Sequence, residues 1–369
     1  MQLRTPDGGM PRVLVVALLL GAPAASLAAE DVCDVEAPRV VAVGDIHGSY
    51  DNFVKVLQMA GIADEDAHWT GGTTHLVQTG DFTDRGKDTR KVMDLLKRLQ
   101  KEAKDAGGRA HILLGNHEVM NILGDLRYVD TEEYESFRTM DSMRRIQRFY
   151  ASALSRASDR ARAAGEEFDE DAFRKKLEKE APLGFVERMR AFSADGEYGS
   201  WLRDLNVVAR VNGIVFLHGG LTPEVAALGC EGINKTVHRE LTSDFDKTRA
   251  QPGATLAAGG GGPLWYRGLA VEDEVAYAPA LEQVLADMDA RAIVVAHTVT
   301  KTGKIQSRFD GRVVMIDVGM APAYNDSIAA LEVAGDGTVS ALYPDSRAVI
   351  SMPPAGQAPA GVPAVAAQP

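Results

Sequence analysis

The chain has 369 residues, of which 45% are hydrophobic and 25% are charged, a composition typical of a globular protein. Its length is sufficient for one large α/β domain or two small ones. The formal net charge of -12 disfavours an electrostatic grip on nucleic acid or anionic lipid, because an acidic surface repels both at long range. We therefore expect no nucleic-acid partner, although a local basic pocket is compatible with this charge.

The first residues carry the pattern of an export signal. Arg4 and Arg12 precede an apolar run at 13–22, and small residues follow as far as position 29. Since this run has about half of the ~20 residues that span a membrane, we expect cleavage and no stable membrane anchor. Residues 1–29 are predicted to be a signal peptide, and the mature protein is predicted to be exported to the periplasm.

Cysteine is rare in this sequence and is limited to Cys33 and Cys230. In an exported protein the two could form a disulfide, but two free thiols are an equally weighted alternative.

Short β-branched runs alternate with helical stretches after the signal, which predicts an α/β fold. The runs read as strands lie at 39–43, 74–78, 110–114, 207–211, 214–217, 293–296 and 313–316. Unusual polar residues follow several of them. Function in open α/β sheets concentrates beyond the carboxyl ends of strands, so we expect these polar residues to converge.

A charged, helix-patterned region at about 130–195 is predicted to be a helical insert. Its apolar stripe consists of Phe137, Met140, Met143, Ile146, Phe149 and Leu154, and we interpret this stripe as core packing. The Pro/Ala-rich residues 347–369 are predicted to be a disordered tail.

The first two predicted strands are followed by candidate metal ligands. Asp45 and His47 are two residues apart, so an extended chain directs both to one face, although a turn aspartate beside an ordinary histidine is the alternative. One oxygen of Asp81 could bridge two cations about 3.5–4 Å apart. Arg85 offers a planar fork for phosphate oxygens, whereas a surface charge pair between Asp84 and Arg85 is the plainer interpretation.

Later strands add an amide and three imidazoles. Asn116 offers a neutral oxygen ligand or caps a helix, and both roles can coexist. His117 is the candidate proton donor, because a carboxylate such as Asp84 tunes an imidazole for that task near neutral pH. His218 and His297 suit a first-row transition metal, although a lone histidine at a strand end is more often structural. The histidines at 68, 75, 111 and 238 receive no role.

Residues 44–48, 80–86, 115–118 and 218–220 resemble the signature motifs of the phosphoprotein phosphatase branch of the calcineurin-like metallophosphoesterases. The longer stretch at 115–126, with residues 263–268, is most similar to the Shewanella-like protein phosphatases. This resemblance implies a catalytic domain at 38–346, built as a metallophosphoesterase-type β-sandwich of two mixed sheets flanked by helices, with the insert at about 130–195.

The resemblance also implies a site with two divalent metal ions, manganese first, with iron and zinc as alternatives. The first ion would be bound by Asp45, His47 and Asp81, and the second by Asp81, Asn116, His218 and His297. His117 would be the general acid, oriented by Asp84, while Arg85, Arg267 and Asn116 would contact the substrate phosphate.

These features predict a two-metal phosphomonoester hydrolase in which a metal-bridging hydroxide attacks phosphorus. The expected substrates are phosphoproteins, with phosphotyrosine as a candidate beside phosphoserine and phosphothreonine. One alternative is a phosphoesterase for small molecules or dinucleotide polyphosphates. Another is a catalytically silent module that binds metal or phosphate.

Overall fold

The computed structural model describes residues 32–354, so the predicted signal peptide and the residues after 354 lie outside the described residues. One sheet has the strand order β11-β10-β9-β1-β2-β3. Its strands are β1 (Val40–Val43), β2 (His75–Gln78), β3 (Arg109–Ile112), β9 (Ala330–Val333), β10 (Val339–Tyr343) and β11 (Ser346–Val349). Strands β1, β2 and β3 are parallel, and β9, β10 and β11 continue the sheet antiparallel, so the sheet is mixed.

The second sheet has the strand order β4-β5-β6-β8-β7. Its strands are β4 (Val208–Val211), β5 (Ile214–Leu217), β6 (Ala292–Val295), β7 (Gln306–Arg308) and β8 (Val313–Met315). Strands β5, β6 and β8 are parallel, while the edge strands β4 and β7 pair antiparallel.

Alternating side chains of the central strands build two cores. Val40 and Ala42 of β1 pack in one cluster with Phe216 of β5, which places this cluster between the two sheets. Val41 and Val43 point to the opposite face of β1 and belong to another cluster, which contains helix residues such as Phe53. Burying one such valine stabilises the fold by about 1.5–3 kcal/mol. The predicted α/β sandwich of two mixed sheets flanked by helices is confirmed.

The helices cover the sheets and fill the connection between β3 and β4. They are α1 (Tyr50–Met59), α2 (Thr89–Asp105), α3 (Asn116–Leu123), α4 (Ser142–Ala164), α5 (Glu170–Glu180), α6 (Phe185–Ala191), α7 (Glu197–Asp204), α8 (Pro223–Ala226), α9 (Gly229–Leu241), α10 (Phe245–Ala250), α11 (Gly268–Val271) and α12 (Glu274–Asp287). Short 3-10 turns lie at Thr131–Phe137, Pro252–Ala254 and Phe309–Gly311. Between residues 32 and 354, no helix combines the length and the apolar character needed to cross a membrane.

The region at 130–195 contains a 3-10 turn followed by α4, α5 and α6, but its apolar stripe is not continuous. Ile146 and Leu154 are buried as expected, whereas Met140 and Met143 are exposed. The interpretation of these two methionines as core residues was wrong. The 3-10 turn ends at Phe137 and α4 begins at Ser142, so the three- and four-residue spacing crosses a break between two elements.

All seven predicted strands occur, and no strand end shifts by more than two residues. Strands β7, β9, β10 and β11 were not predicted from the sequence. Strand β11 begins at Ser346, so it extends into the first residues of the segment predicted as tail, 347–369. The side chains of β11 are exposed, and an exposed edge strand lacks the alternating apolar pattern from which strands are predicted.

The N-terminal described residues are tied to the second sheet. Cys33 and Cys230 form a disulfide with a Cα–Cα distance of 5.7 Å, which decides between the two alternatives for these cysteines. Val35 forms a parallel bridge with Val211, and the backbone N–H of Arg210 donates to the carbonyl of Val32.

Candidate active site

Six parallel strands, three from each sheet, deliver polar side chains to one buried cluster. These side chains are Asp45 and His47 after β1, Asp81 after β2, Asn116 and His117 after β3, His218 after β5, His297 after β6 and Asp317 after β8. None of the eight residues is more than 7% exposed. The two-sheet arrangement therefore joins the carboxyl ends of both parallel sets.

Asp81 lies at the centre of this cluster. Its Oδ2 is 3.2 Å from Nε2 of His218, 3.7 Å from Nε2 of His47 and 3.9 Å from Nε2 of His117. Burial would raise the pKa of Asp81, but the His218 and His117 imidazoles outweigh it and hold this pKa well below its usual value. A single anionic oxygen is thus shared among three imidazoles.

Two of these imidazoles are oriented by backbone carbonyls. Nδ1 of His47 lies 3.0 Å from the Thr83 carbonyl oxygen, and Nδ1 of His218 lies 3.0 Å from that of Thr79. A carbonyl on Nδ1 orients each ring so that Nε2 is the nitrogen facing the cluster, an arrangement common in metal-ligating histidines. Burial lowers the pKa of His47 to about 4, which keeps this imidazole neutral.

His297 and Asn116 complete one side of the cluster. Nε2 of His218 is 3.1 Å from Nδ1 of His297 and 3.0 Å from Oδ1 of Asn116. Burial and the neighbouring His218 lower the pKa of His297 to about 2. The buried Nε2 of His297 has no hydrogen-bond partner among the described residues. These neutral donors have lone pairs available for a ligand.

Two further carboxyls, those of Asp45 and Asp317, crowd the cluster. Asp45 lies 3.8 Å from Nε2 of His47 and 3.7 Å from Nδ1 of His218. Burial, Asp317 and Asp81 raise the pKa of Asp45 well above its usual value, and burial raises that of Asp317 to about 6. Carboxyls that resist ionisation at such close range need an added positive charge to become anionic together.

These residues fit divalent cations. Two groups of donors, His47–Asp81–His117 and Asp81–His218–His297, each hold potential ligand atoms within 4.8 Å of one another. Both groups contain Asp81. Buried neutral imidazoles, an amide oxygen and crowded carboxylates form the mixed N/O donor set of first-row metals, and the structure brings all six predicted ligands into it.

His117 and Asp84 form a buried hydrogen-bonded pair beside this donor set. Nδ1 of His117 lies 2.7 Å from Oδ2 of Asp84. Burial alone would lower the pKa of His117, but Asp81 and the hydrogen bond with Asp84 raise it above its usual value. The Asp84 contact therefore favours proton donation by His117 over a role as metal ligand.

Glu118 holds the loop that carries Asp81. Its buried carboxylate accepts hydrogen bonds from the backbone N–H groups of Asp81, Phe82, Thr83 and Gly115, and from the Thr83 hydroxyl. Several site residues have positive φ angles: His47 at 49°, Asp81 at 52°, Asp84 at 67°, Arg85 at 67° and His297 at 63°. Such backbone costs about 1–3 kcal/mol per residue and persists only where surrounding contacts hold it. Glu118 provides those contacts for one of the strained loops.

Two tyrosines flank Arg85 at the edge of the cluster. The guanidinium carbon of Arg85 is 4.1 Å from the ring centroid of Tyr128 and 5.5 Å from that of Tyr324. The Tyr128 ring lies 5.1 Å from the His117 ring, and the Tyr324 ring lies 5.5 Å from the His47 ring. The buried Nε of Arg85 has no hydrogen-bond partner within residues 32–354. A planar cation therefore lies between two aromatic rings, and one of them, Tyr128, also contacts the His117 ring.

Arg267 also reaches the cluster, but from the side of His297. Its Nη1 donates to the His297 carbonyl oxygen at 2.7 Å and to Oγ1 of Thr298 at 3.0 Å. The side chain is exposed at the start of α11. Its position is compatible with the predicted phosphate contact, although its donors partly serve the chain itself.

The fold and this site define the class of the protein. The model of the calcineurin-like phosphoesterase family matches residues 38–301, and the chain belongs to this family. It is a metal-dependent phosphoric ester hydrolase.

Within this family, the chain is similar to the Shewanella-like protein phosphatases. Shewanella-like protein phosphatase 2 of Arabidopsis thaliana is 31% identical over 310 residues, which cover 82% of this chain and 76% of the relative. Shewanella-like protein phosphatase 1 of Plasmodium berghei is 26% identical, over 77% of this chain and 67% of the relative. A cold-active protein-tyrosine phosphatase of a psychrophilic Shewanella species has 25% identity and a TM-score of 0.64, with 88% of this chain and 84% of that chain covered. The predicted family resemblance is confirmed.

Several residues of the site were not predicted from the sequence. Asp317 follows β8 by two positions, so the same strand-end signal that identified His218 would have found it. Glu118 and Asn121 lie inside a recognised motif, but their partners are distant in sequence. Tyr128 carried no signal of its own.

Proposed function

We propose that this enzyme is a protein phosphatase that uses two divalent cations, with manganese as the first candidate. One observation carries the proposal: a single Asp81 oxygen lies within 3.9 Å of three imidazole nitrogens that belong to two donor groups. The residues that would hold the cations are Asp45, His47, Asp81, Asn116, His218 and His297. Bound cations would supply positive charge to the phosphate oxygens and would acidify water.

The side chains of this protein would perform the other parts of the reaction. Arg85, whose guanidinium lies between Tyr128 and Tyr324, would bind phosphate oxygens and stabilise charge on them. His117 would donate a proton from Nε2 to the departing oxygen, because its Nδ1 is occupied by Asp84. Asn116, beside His218, and Arg267, beside His297, would add phosphate contacts.

Phosphotyrosine is the substrate residue that the surroundings of Arg85 favour. The Tyr128 and Tyr324 rings would flank the ring of an aryl phosphate whose phosphate lies on Arg85. The similarity to a protein-tyrosine phosphatase supports the same choice. Phosphoserine and phosphothreonine have no ring to pack there, so we expect them to react more slowly.

The test is a panel of substrates on mature protein reconstituted with manganese, iron or zinc. One peptide sequence carries phosphotyrosine, phosphoserine or phosphothreonine in turn, and a dinucleotide polyphosphate is measured in parallel. We expect the phosphotyrosine peptide to have the highest kcat/KM and chelation to abolish its turnover. Preference for the dinucleotide would instead assign a small-molecule phosphoesterase, and phosphate binding without turnover would assign a silent binding module.

The number of cations is tested separately. Metal content measured after removal of free ions should approach two per chain, and Asp81→Asn should reduce it. One ion per fully active chain would overturn the two-metal proposal.

We also propose that the mature protein is exported to the periplasm. The pattern at residues 1–29 and the Cys33–Cys230 disulfide support this, because disulfides persist mainly in oxidising compartments. Fractionation of cells that express the full chain should place the shortened protein outside the cytoplasm. Full-length protein in the cytoplasmic fraction would contradict export.

A further inference from the structure

Arg188, a buried arginine of helix α6, is connected by hydrogen bonds to the His117–Asp84 pair. Arg188 is 0% exposed, and its Nε donates to Oε1 of Glu133 at 2.6 Å. Its Nη2 donates to Oδ1 of Asn121 at 2.7 Å. The guanidinium carbon lies 4.3 Å from the ring centroid of Phe192. These contacts hold the planar guanidinium of Arg188 in one position.

Asn121 connects Arg188 to the His117–Asp84 pair. Nδ2 of Asn121 donates to Oδ1 of Asp84 at 2.9 Å and to the His117 carbonyl oxygen at 2.9 Å. The other carboxylate oxygen of Asp84 bonds to His117 Nδ1. A continuous hydrogen-bond path therefore runs from Glu133 through Arg188, Asn121 and Asp84 to His117.

The chemistry of this path gives it a direction. Arginine only donates hydrogen bonds, so the Asn121 amide must present its oxygen to Arg188. The nitrogen of the same amide is then directed at Asp84, which only accepts when ionised. With the opposite amide orientation, N–H groups would face the arginine and an oxygen would face the carboxylate. Arg188 thereby determines which way Asn121 supports Asp84.

Stability alone does not require a charged pair here. Taking Arg188 and Glu133 out of water is costly, and burial raises the pKa of Glu133 although Arg188 opposes this rise. Apolar residues of similar volume often replace such a pair without loss of stability. The contact of Arg188 with Asn121 gives the pair a role that an apolar replacement would lack.

We propose that Arg188, held by Glu133, is a positioning residue for proton donation by His117. It fixes the Asn121 amide, which fixes the Asp84 carboxylate and so the imidazole whose Nε2 faces the leaving oxygen. The helices between β3 and β4 thereby contribute to catalysis without contacting substrate. This inference rests on the proposed role of His117 as general acid.

The experiment compares leaving groups in the metal-loaded full-length mature enzyme. Two substrates are compared: p-nitrophenyl phosphate, which has a good leaving group, and phenyl phosphate, which has a poor one. Their kinetics are measured for wild type, Arg188→Met, Arg188→Lys and His117→Asn. Loss of a general acid harms the poor leaving group more, and general acids contribute roughly 10²–10⁴-fold. We expect Arg188→Met to lower kcat on phenyl phosphate by about 10–100-fold, and on p-nitrophenyl phosphate by about threefold or less.

Two further comparisons separate positioning from general damage. Arg203 is also a buried arginine, but it bonds to backbone carbonyls of α7 and α9, so Arg203→Met controls for loss of a buried cation. Arg203→Met should change the rates on both substrates by the same factor. Arg188→Met should add little to the defect of His117→Asn, because residues that act as a unit are not additive.

Each outcome bears on a defined claim. If His117→Asn shows no selective loss on phenyl phosphate, the proposed general acid is wrong. If His117→Asn shows this loss but Arg188→Met slows both substrates equally, the positioning role of Arg188 is overturned while the general acid stands. Should Arg188→Met lower the thermal midpoint strongly, Asn121→Leu breaks the same path nearer the site and is expected to show the same selective loss. An equal loss on both substrates in Asn121→Leu would also overturn the inference.

Discussion

Two groups of histidines, one at the ends of strands and one within strands, have contrasting surroundings. In the active site, His47, His117 and their neighbours follow the strand ends and face Asp81. Within β2 and β3, His75 and His111 face each other, with Nδ1 and Nε2 3.1 Å apart. Burial lowers the pKa of His47 to about 4 and that of His111 to about 3, so removal from water acts similarly on both groups.

The carboxylates make the difference between the groups. His117 is buried too, yet Asp81 and Asp84 raise its pKa above the usual value. For His111, the further contributions come from His75 and Arg109, and both lower its pKa. Burial alone thus lowers the pKa of an imidazole, whereas the carboxylates beside His117 reverse that effect.

The largest expected effect follows from removing the shared carboxylate. Asp81→Asn should lower kcat on p-nitrophenyl phosphate by about 10³-fold or more, because it removes an anion that faces three imidazoles. Each tenfold loss of rate corresponds to a rise of about 1.4 kcal/mol in the activation barrier. Steady-state kinetics at saturating metal measure it. Asp105→Asn, at the exposed end of α2, is the control and should keep wild-type activity. Wild-type turnover in Asp81→Asn would show that this carboxylate does not distinguish the active-site histidines from the His75–His111 pair.

Removing the guanidinium of Arg85 should have the next largest effect. Arg85→Met should lower kcat/KM by about 10²-fold, since the variant keeps the metal ligands but loses a charge-assisted phosphate contact. Competitive inhibition by inorganic phosphate should weaken in parallel. Arg127→Met changes an exposed arginine near the same tyrosine and is the matched control. Unchanged phosphate inhibition in Arg85→Met would show that Arg85 does not bind the substrate phosphate.

The loop that carries Asp81 should depend on Glu118 for its stability. Glu118→Gln should lower the free energy of unfolding by about 3 kcal/mol, because an amide nitrogen would replace an oxygen that accepts buried N–H groups. Urea unfolding of metal-free protein measures this loss without a contribution from bound cations. A loss below about 0.5 kcal/mol would mean that other contacts hold the strained loop.

The His75–His111 pair within β2 and β3 should affect only the pH dependence of stability. The folded-state pKa of His111, about 3, lies below its usual 6.5, so the unfolded chain takes up this proton first as pH falls. The stability linked to His111 is therefore complete above about pH 6.5 and falls toward pH 3, by roughly 1.4 kcal/mol for each pH unit. His111→Met should flatten this slope by one proton without lowering activity at neutral pH. The exposed His68, changed to Gln, is the control, and an unchanged slope in His111→Met would contradict the assignment.

Much of the site could be predicted, because its residues follow strands whose buried, β-branched runs are visible in the sequence. Asp45, His47, Asp81 and His218 each come shortly after such a run, and parallel strands bring their carboxyl ends together. The mixed character of the first sheet was implied only by family resemblance, since β9, β10 and β11 were not recognised. Met140 and Met143 show the opposite error, in which a helical spacing continued across two separate elements.

By itself, the sequence determined the residue types of the site, their order along the chain and the family, because motif chemistry depends on short spacings that folding does not alter. Only the tertiary structure decided which distant groups meet. Cys33 and Cys230 are 197 residues apart, and Asn121 and Arg188 are 67 apart. Contacts at such separations depend on how the two sheets and the intervening helices pack, which no local pattern encodes. The same packing placed Asp317 against Asp45 and left His75 and His111 without carboxylate neighbours among the groups that shift their pKa values.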